Sequence, residues 1–265
     1  MTDTPANPTD QQLADSLTRV LTVERIEEDF YRGIATHGYF MRPGDATQPV
    51  LYRVERDRDG GSFATRRVVA IQHGKPILNL AASFHAPEAG LTHQDSMPVV
   101  PGPEELETEE AMAARMGDAL PEAFRNWLKT PRPVEMRSVT PRPPFDRTPR
   151  DPVQNLWIRV RGKMSDDPAM HRAALAFASD MGLLGTSMMP HGKTFTDADM
   201  QFASLDHALW VHDEFRMDDW LLYTMDSPWA GGARGFNRGR VFTRDGRLVA
   251  NVAQEGLVRQ VTPRG

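Results

Sequence analysis

GKPILNLAAS, residues 74–83, recurs as GRLVANVAQE at residues 246–255, and this repeat decides the expected fold. His37 and His207 stand at almost the same spacing, each ahead of one copy of the repeat. Both copies combine a glycine turn with the alternating apolar residues of a strand. A repeat of this length predicts a duplicated α+β unit, in which a curved antiparallel sheet wraps a helix.

The segments around the first copy predict strands, with a short amphipathic helix from Asp10 ahead of them. A hairpin turn is expected at His73, Gly74 and Lys75, and together the strands are expected to form an antiparallel meander. The predicted strands are VERIEEDFYRG (23–33), HGYFMRP (37–43), PVLYRVERDRDG (49–60) and SFATRRVVAIQHGKPILNLAASF (62–84).

The second half contains a well-delimited helix that the first half lacks. SDDPAMHRAALAFASDMG, residues 165–182, has Ser165 as its candidate N-cap, Pro168 in its first turn and Gly182 at its end. In the first half only three residues separate Gly33 from His37. Because one helical turn already takes about 3.6 residues, no central helix fits there.

Composition and proline-rich stretches divide the chain into three predicted parts. Residues 10–92 form the first, truncated unit. Residues 93–130 form a charged helical connector that Pro121 interrupts, because proline removes a helical hydrogen bond. Residues 131–262 form the second unit, which begins with the strand VQNLWIRVRG at residues 153–162 and carries the candidate catalytic residues.

The overall composition excludes several classes of protein. Of the 265 residues, 40% are apolar, which is enough for a substantial core. A net charge of −5 with scattered basic residues argues against nucleic-acid binding. The absence of cysteine excludes disulfides, thiolate metal sites and cysteine nucleophiles. No signal peptide or membrane span is recognisable, so we expect a cytoplasmic location.

Three polar residues fall on predicted apolar faces. Asp180 projects with Ala176 and Phe177 on the helix, Ser204 alternates with apolar residues in QFASLDHALW, and Gln254 does so in LVANVAQEGLV. Because buried polar groups need partners, the three side chains could hold a water molecule between them. Desolvation would raise the pKa of the aspartate and make it a general base. A structural hydrogen-bonding role is the competing interpretation.

Other candidate residues have structural interpretations as well. His207 and His212 are five residues apart on a strand, which places them on opposite faces and disfavours a metal site. GGARGFNRGR precedes no helix, so it is not a phosphate loop. Its residues Arg234 and Arg238 are candidates to contact phosphate groups of a substrate, although solvated arginines on strands are common. The pair Met188 and Met189 either lines an apolar channel or fills the core.

Taken together, several blocks of the sequence resemble the type II acyl-CoA thioesterases over about residues 13–259. Each block is short, but their order and spacing make the resemblance specific. The blocks are YFMRPGD, DGGSFATRRVVAIQHGKPILNLAASFHAPEAG, HQDSMP, WIRVRG, FASDMGLL, SLDHALWVH, DDWLLY and ARGFNRGRVFTRDGRLVANVAQEG.

The resemblance implies a double hot-dog fold and hydrolysis of an acyl-CoA thioester to a free acid and CoA. It places the hydrolytic water on Asp180, Ser204 and Gln254, with serine in a position where the family has threonine or serine. Backbone amides are expected to stabilise the oxyanion. Neither a metal nor another cofactor is needed. The resemblance also implies a homo-oligomer.

This chain departs from the family pattern between Gly33 and His37. The family normally carries a strand and the first hot-dog helix there, beginning at a GGQ turn that is expected to supply oxyanion amides. Loss of one such donor typically lowers turnover about 10²- to 10³-fold. The departure keeps open a second hypothesis, a non-catalytic acyl-CoA-binding or interaction protein. A hot-dog hydratase ranks last, because His191 lies too far from Asp180 for the local Asp/His motif of such enzymes.

Overall fold

The computed structural model describes residues 8–21, 32–120, 122, 125, 130–143 and 145–262. Most of the predicted strand 23–33 and the end of the predicted connector helix lie outside these ranges. The helices are α1 (Asp10–Leu21), α2 (Glu109–Met116) and α3 (Pro168–Ala178). The strands are β1 (Arg32–Phe40), β2 (Leu51–Asp59), β3 (Phe63–Gln72), β4 (Lys75–His85), β5 (Val134–Ser138), β6 (Val153–Val160), β7 (Met200–Ser204), β8 (Asp206–Val211), β9 (Leu221–Gly231), β10 (Arg234–Thr243) and β11 (Leu248–Gln260).

All described strands join one antiparallel sheet in the order β2-β3-β4-β1-β8-β11-β10-β9-β6-β5, with β7 paired to β11. The order β1-β4-β3-β2 in one half corresponds to β8-β11-β10-β9 in the other. The halves meet where β1 pairs with β8, and Gly38 lies opposite His207 there. The repeat in the sequence therefore predicted the duplication of the sheet correctly.

The first four strands do not form a simple meander. The tight turn at His73 (φ 48°) and Gly74 (φ 71°) holds β3 to β4 as expected, and positive φ at both turn residues is typical of two-residue hairpins. However, β1 pairs with β4 rather than with β2. The longer loop between Phe40 and Leu51 lets β1 reach the far edge of β4.

Helix α3 begins and ends inside its predicted range. Its N-cap is Asp167, whose side chain accepts a hydrogen bond from the Ala169 backbone, so the prediction of Ser165 as the cap was wrong. Pro168 at the first helical position fixes the cap directly before it. The helix ends at Ala178, which leaves Asp180 on the following turn rather than on the helix.

The buried face of α3 is also not the predicted one. His171, Ala174, Leu175 and Ala178 face the core, while Phe177 remains 43% exposed. The sheet covers α3 on one side only. In the first half β1 runs from Arg32 to Phe40, so no helix stands between Gly33 and His37, as the sequence predicted.

The core lies between α3 and the second half of the sheet, and α1 packs into it through Ala14 and Leu17. A second cluster, on the opposite face of the sheet, surrounds Trp157, Trp220, Leu222 and Phe242. Connector residues Met97, Val100 and Leu106 pack against it. No helix in the described part of the chain has the length and apolar character that crossing a bilayer requires.

The buried side chain of His171 is expected to make the stability of the fold depend on pH. Its ring is 2% exposed; Nε2 contacts the Ser165 carbonyl oxygen at 2.9 Å, and Nδ1 accepts the Met217 backbone N–H at 3.0 Å. Because Nδ1 accepts a hydrogen bond, the ring is neutral, and burial lowers its pKa below the usual 6.5. The folded state thus binds fewer protons than the unfolded state just below pH 6.5.

We expect the free energy of unfolding to fall as the pH drops through about 6.5 and below. His171→Asn should lower stability at pH 7.5 but flatten this dependence, because it removes the titrating ring. Urea unfolding of both proteins between pH 5 and pH 8 measures the two slopes. Equal slopes would show that His171 does not carry the effect.

Candidate active site

The three polar residues singled out in the sequence meet on the inner face of the sheet, the face that packs against α3. Asp180 stands on the turn after α3, Ser204 ends β7, and Gln254 lies in the middle of β11. Ser204 pairs with Gly256, two residues beyond Gln254, so both side chains point to the same face. The pairing of β7 with β11 therefore aligns the serine with the glutamine.

Direct hydrogen bonds join the three side chains. Gln254 Nε2 donates to Ser204 Oγ at 3.0 Å and also to Asp180 Oδ1. Ser204 Oγ donates to Asp180 Oδ1 at 3.4 Å. The carboxylate thus accepts from an amide and a hydroxyl that belong to two different strands. Hydrogen bonds of this kind fix its orientation.

Burial is distributed differently from the prediction. Gln254 is fully buried, Ser204 is half-buried and Asp180 is exposed. Asp180 is exposed because it lies beyond the helix end, beside the uncovered side of α3. Gln254 Oε1 is buried and has no hydrogen-bond partner among the described residues. The site therefore combines an accessible carboxylate with a buried acceptor oxygen whose hydrogen-bonding capacity the described residues leave unused.

Residues that the sequence analysis did not select hold the turn that carries Asp180. The preceding residue, Ser179, is fully buried and contacts His207 and Tyr223. Asn237 is also fully buried, and its Oδ1 accepts the Ser187 backbone N–H at 3.0 Å in the 3₁₀ segment after the turn. These contacts join residues that are far apart in the sequence, so local sequence patterns do not predict them.

The histidines of SLDHALWVH do have separate environments, as the strand spacing predicted. His207 faces α3, whereas His212 Nε2 contacts Asn251 Oδ1 at 2.7 Å. His37, which precedes the first copy of the repeat, contacts Asp206 Oδ2 at 3.1 Å. In the described residues no group of three or more histidine, aspartate or glutamate side chains is arranged as a metal site.

Arg234 and Arg238 lie on the outer face of the sheet, whereas the side chain of Gln254 lies on the inner face. Arg238 pairs with Ala253, the neighbour of Gln254, so alternation turns it away from the three polar residues. Each guanidinium contacts a carboxylate, Glu255 for Arg234 at 2.9 Å and Asp226 for Arg238 at 2.8 Å. The structure therefore does not bring these arginines to Asp180.

A cavity of about 490 Å³ adjoins the other side of the turn at Gly182. Its volume is within the range of small-molecule sites. Met188 and Met189 both line it, together with Met136, Leu156 and Phe195. An apolar cavity was one of the two interpretations that the sequence allowed for the methionine pair.

Comparison with known proteins gives matches over both halves of the chain. Residues 12–85 match the family model described as acyl-CoA thioesterase N-terminal domain, and residues 103–258 match the acyl-CoA thioesterase C-terminal domain. Human acyl-coenzyme A thioesterase 8 is 40% identical over 248 residues, which cover 91% of this chain and 77% of the relative. Acyl-CoA thioesterase 2 of Haemophilus influenzae is 37% identical over 223 residues, covering 84% and 78%.

A solved structure shows the same architecture. The acyl-CoA thioesterase II TesB2 from Mycobacterium marinum superposes with a TM-score of 0.73 at 39% identity, covering 90% of this chain and 84% of that chain.

The alignment to rat acyl-coenzyme A thioesterase 8, 38% identical, spans 285 residues and covers 92% of this chain and 88% of the relative. Because this chain has only 265 residues, the rat protein carries residues within the aligned region that this chain lacks.

Proposed function

This chain belongs to the acyl-CoA thioesterase family and is a thioester hydrolase, and on that premise we propose that a water molecule held by Asp180, Ser204 and Gln254 hydrolyses its acyl-CoA substrate. The observation that carries the proposal is the meeting of these three side chains at hydrogen-bond distance on the inner face of the sheet. The products are a free acid and CoA.

The geometry assigns a different task to each side chain. Gln254 is buried and its Nε2 is committed to Asp180 and Ser204, so its Oε1 remains free to accept a hydrogen bond from one O–H of the water, whose proton stays on the oxygen. Asp180 accepts the other proton as the oxygen attacks the thioester carbonyl carbon. The resulting oxyanion is stabilised by backbone amides. When the intermediate collapses, the C–S bond breaks and Asp180 returns its proton to the thiolate of CoA.

Release of CoA thiol from acyl-CoAs of several chain lengths, followed with a thiol-reactive dye, measures the activity directly. The protein has no cysteine, so it adds no background to this assay. Sustained thiol release supports the proposal. A folded protein that releases no thiol from any of the acyl-CoAs contradicts it.

Exchange of Ser204 tests the role of the hydroxyl. Ser204→Ala removes a hydrogen bond to the carboxylate and one from Gln254, and we expect kcat to fall about 10- to 100-fold, since hydrogen bonds to charged groups contribute about 1.5–3 kcal/mol. The matched control is Ser204→Thr, which keeps the hydroxyl and should stay within a few-fold of the wild type. Equal activity of the alanine and threonine variants would exclude a role for the hydroxyl.

The uncovered side of α3 favours one alternative, an acyl-CoA-binding protein without turnover. Phe177 is 43% exposed there, and the first half of the sheet offers no helix to cover it among the described residues. Calorimetric titration with a non-hydrolysable acyl-CoA analogue would detect binding in a protein that lacks thiol release. Saturable binding without turnover would favour this alternative.

Two further expectations from the sequence analysis stay predictions. One is that Arg234 and Arg238 contact phosphate groups of CoA, for which the nucleotide would have to reach the outer face of the sheet. The other is assembly into a homo-oligomer. Lower affinity for CoA in an Arg238→Ala variant would support the first, and the molar mass in solution tests the second.

A further inference from the structure

Ser179, the residue directly before Asp180, is held from three elements at once. Its backbone N–H donates to the Leu175 carbonyl oxygen at 2.8 Å at the end of α3. Its carbonyl oxygen accepts the Tyr223 hydroxyl of β9 at 2.7 Å. Its own hydroxyl contacts His207 Nε2 of β8 at 2.8 Å. The serine is fully buried, so each of these polar contacts forms away from solvent.

The hydrogen-bond directions follow from the number of protons available. The Ser179 hydroxyl also donates to the Ala176 carbonyl oxygen at 3.1 Å, which uses its single proton. His207 Nε2 must then carry a proton and donate to Ser179 Oγ. In the neutral ring Nδ1 is consequently an acceptor, and it is buried without a partner among the described residues.

The surroundings of His207 favour this neutral form. Burial lowers its pKa, and His37 adds to that effect, while the charges of Asp180 and Asp206 partly offset it. Tyr223, on the other side of Ser179, is fully buried, and burial together with the charge of Asp180 raises its pKa well above the usual value. The phenol thus stays protonated and donates throughout the working pH range of a hydrolase.

The Asp180 carboxylate accepts hydrogen bonds from Gln254 and Ser204, but its backbone is held only through the turn after α3. It is exposed and stands beyond the end of α3, where no helical hydrogen bonds constrain it. Its position against Ser204 and Gln254 thus depends on the backbone of Ser179. A misplacement of a catalytic group by about 1 Å can cost about 10² in rate.

We propose that His207 and Tyr223 are positioning residues for the hydrolytic reaction: they clamp Ser179 from two strands and so hold the Asp180 carboxylate in register with Ser204 and Gln254. The inference rests on the proposed function of Asp180. Protonation of His207 would put a positive charge beside the carboxylate and turn Nδ1 into a donor without a buried acceptor. Turnover should therefore decline as His207 becomes protonated at acidic pH.

The test compares Tyr223→Phe and His207→Asn with the wild type in the thiol-release assay. Tyr223→Phe removes only the hydroxyl, and we expect kcat to fall about 10- to 100-fold with KM nearly unchanged. His207→Asn should lower kcat and also remove the part of the decline below about pH 6.5 that protonation of His207 causes. A His212→Asn control, which changes a histidine that contacts Asn251 instead of Ser179, should keep the wild-type pH profile.

The outcomes separate this inference from the proposed function. A wild type with no thiol release overturns both. A wild type that turns over, together with Tyr223→Phe and His207→Asn variants that keep its kcat and pH profile, overturns the positioning role alone. If His207→Asn does not fold, as judged by circular dichroism, the near-isosteric Tyr223→Phe variant decides by its kcat and KM.

Discussion

Asp180→Asn is expected to lower kcat for acyl-CoA hydrolysis by about 10²- to 10⁴-fold, the usual contribution of a general base. Asparagine keeps the size of the side chain and can still accept hydrogen bonds from Gln254 and Ser204. It cannot take a proton from water. KM should change little, because the carboxylate acts on the attacking water and not on the bound acyl-CoA.

The matched control is Asp219→Asn, which removes an exposed carboxylate from the loop before β9. It carries the same change of charge and should retain the wild-type rate of thiol release. Circular dichroism of both variants checks that the fold is kept. If Asp180→Asn turned over at the wild-type rate, Asp180 could not be the base, whatever its hydrogen bonds.

Gly239→Ala is expected to lower the free energy of unfolding by about 1–3 kcal/mol, the usual cost of overpacking a core. A Cβ atom at Gly239 would lie 2.3 Å from Tyr223 Cε2 and 2.9 Å from the Tyr223 hydroxyl oxygen. The phenol ring is fully buried and cannot move aside into solvent. Because this ring also holds Ser179, we expect kcat to fall as well as stability.

Urea unfolding and thiol release together measure the two effects of this substitution. The control is Gly61→Ala, where a Cβ atom would meet nothing within 4 Å, and which should change neither quantity appreciably. Wild-type stability in Gly239→Ala would show that the sheet absorbs the extra methyl group. Lost stability with unchanged kcat would instead separate the core from the active site.

The repeat made much of this fold predictable. A repeated strand pair requires the same neighbours in both halves, and the alternation within LVANVAQEGLV is sufficient to place Gln254 on the inner face. Ser204 follows by the same reasoning. That the two meet Asp180 depends on the pairing of β7 with β11, which alternation within one strand cannot specify.

The exposure of Asp180 was not predictable from helical periodicity, which placed its side chain on a buried face. The projection onto Ala176 and Phe177 assumes a helix that continues to Asp180, but α3 ends at Ala178. Periodicity also does not say which stripe of a helix the sheet covers. Apolar residues of a helix can remain exposed, as the 43% exposure of Phe177 shows.

The strand that neighbours β1 and the N-cap residue of α3 were predicted wrongly for similar reasons. The alternating pattern of β1 is compatible with β2 or β4 as its neighbour, and the structure pairs it with β4. Ser165 and Asp167 are both good N-cap residues, and Pro168 selects the one that directly precedes it. The contacts of Ser179 with His207 and Tyr223 are tertiary, so local sequence patterns could not predict them.

The two copies of the repeat in the sheet carry different residues at the position of the candidate active site. In the repeat Ala82 occupies the position that Gln254 has in the second copy, and a methyl group can neither accept a hydrogen bond from water nor donate one to a carboxylate. The second copy thus carries the polar side chains, and the first contributes strands to the same sheet. The stoichiometry of the proposed reaction is therefore one hydrolytic centre per chain, despite a backbone built twice.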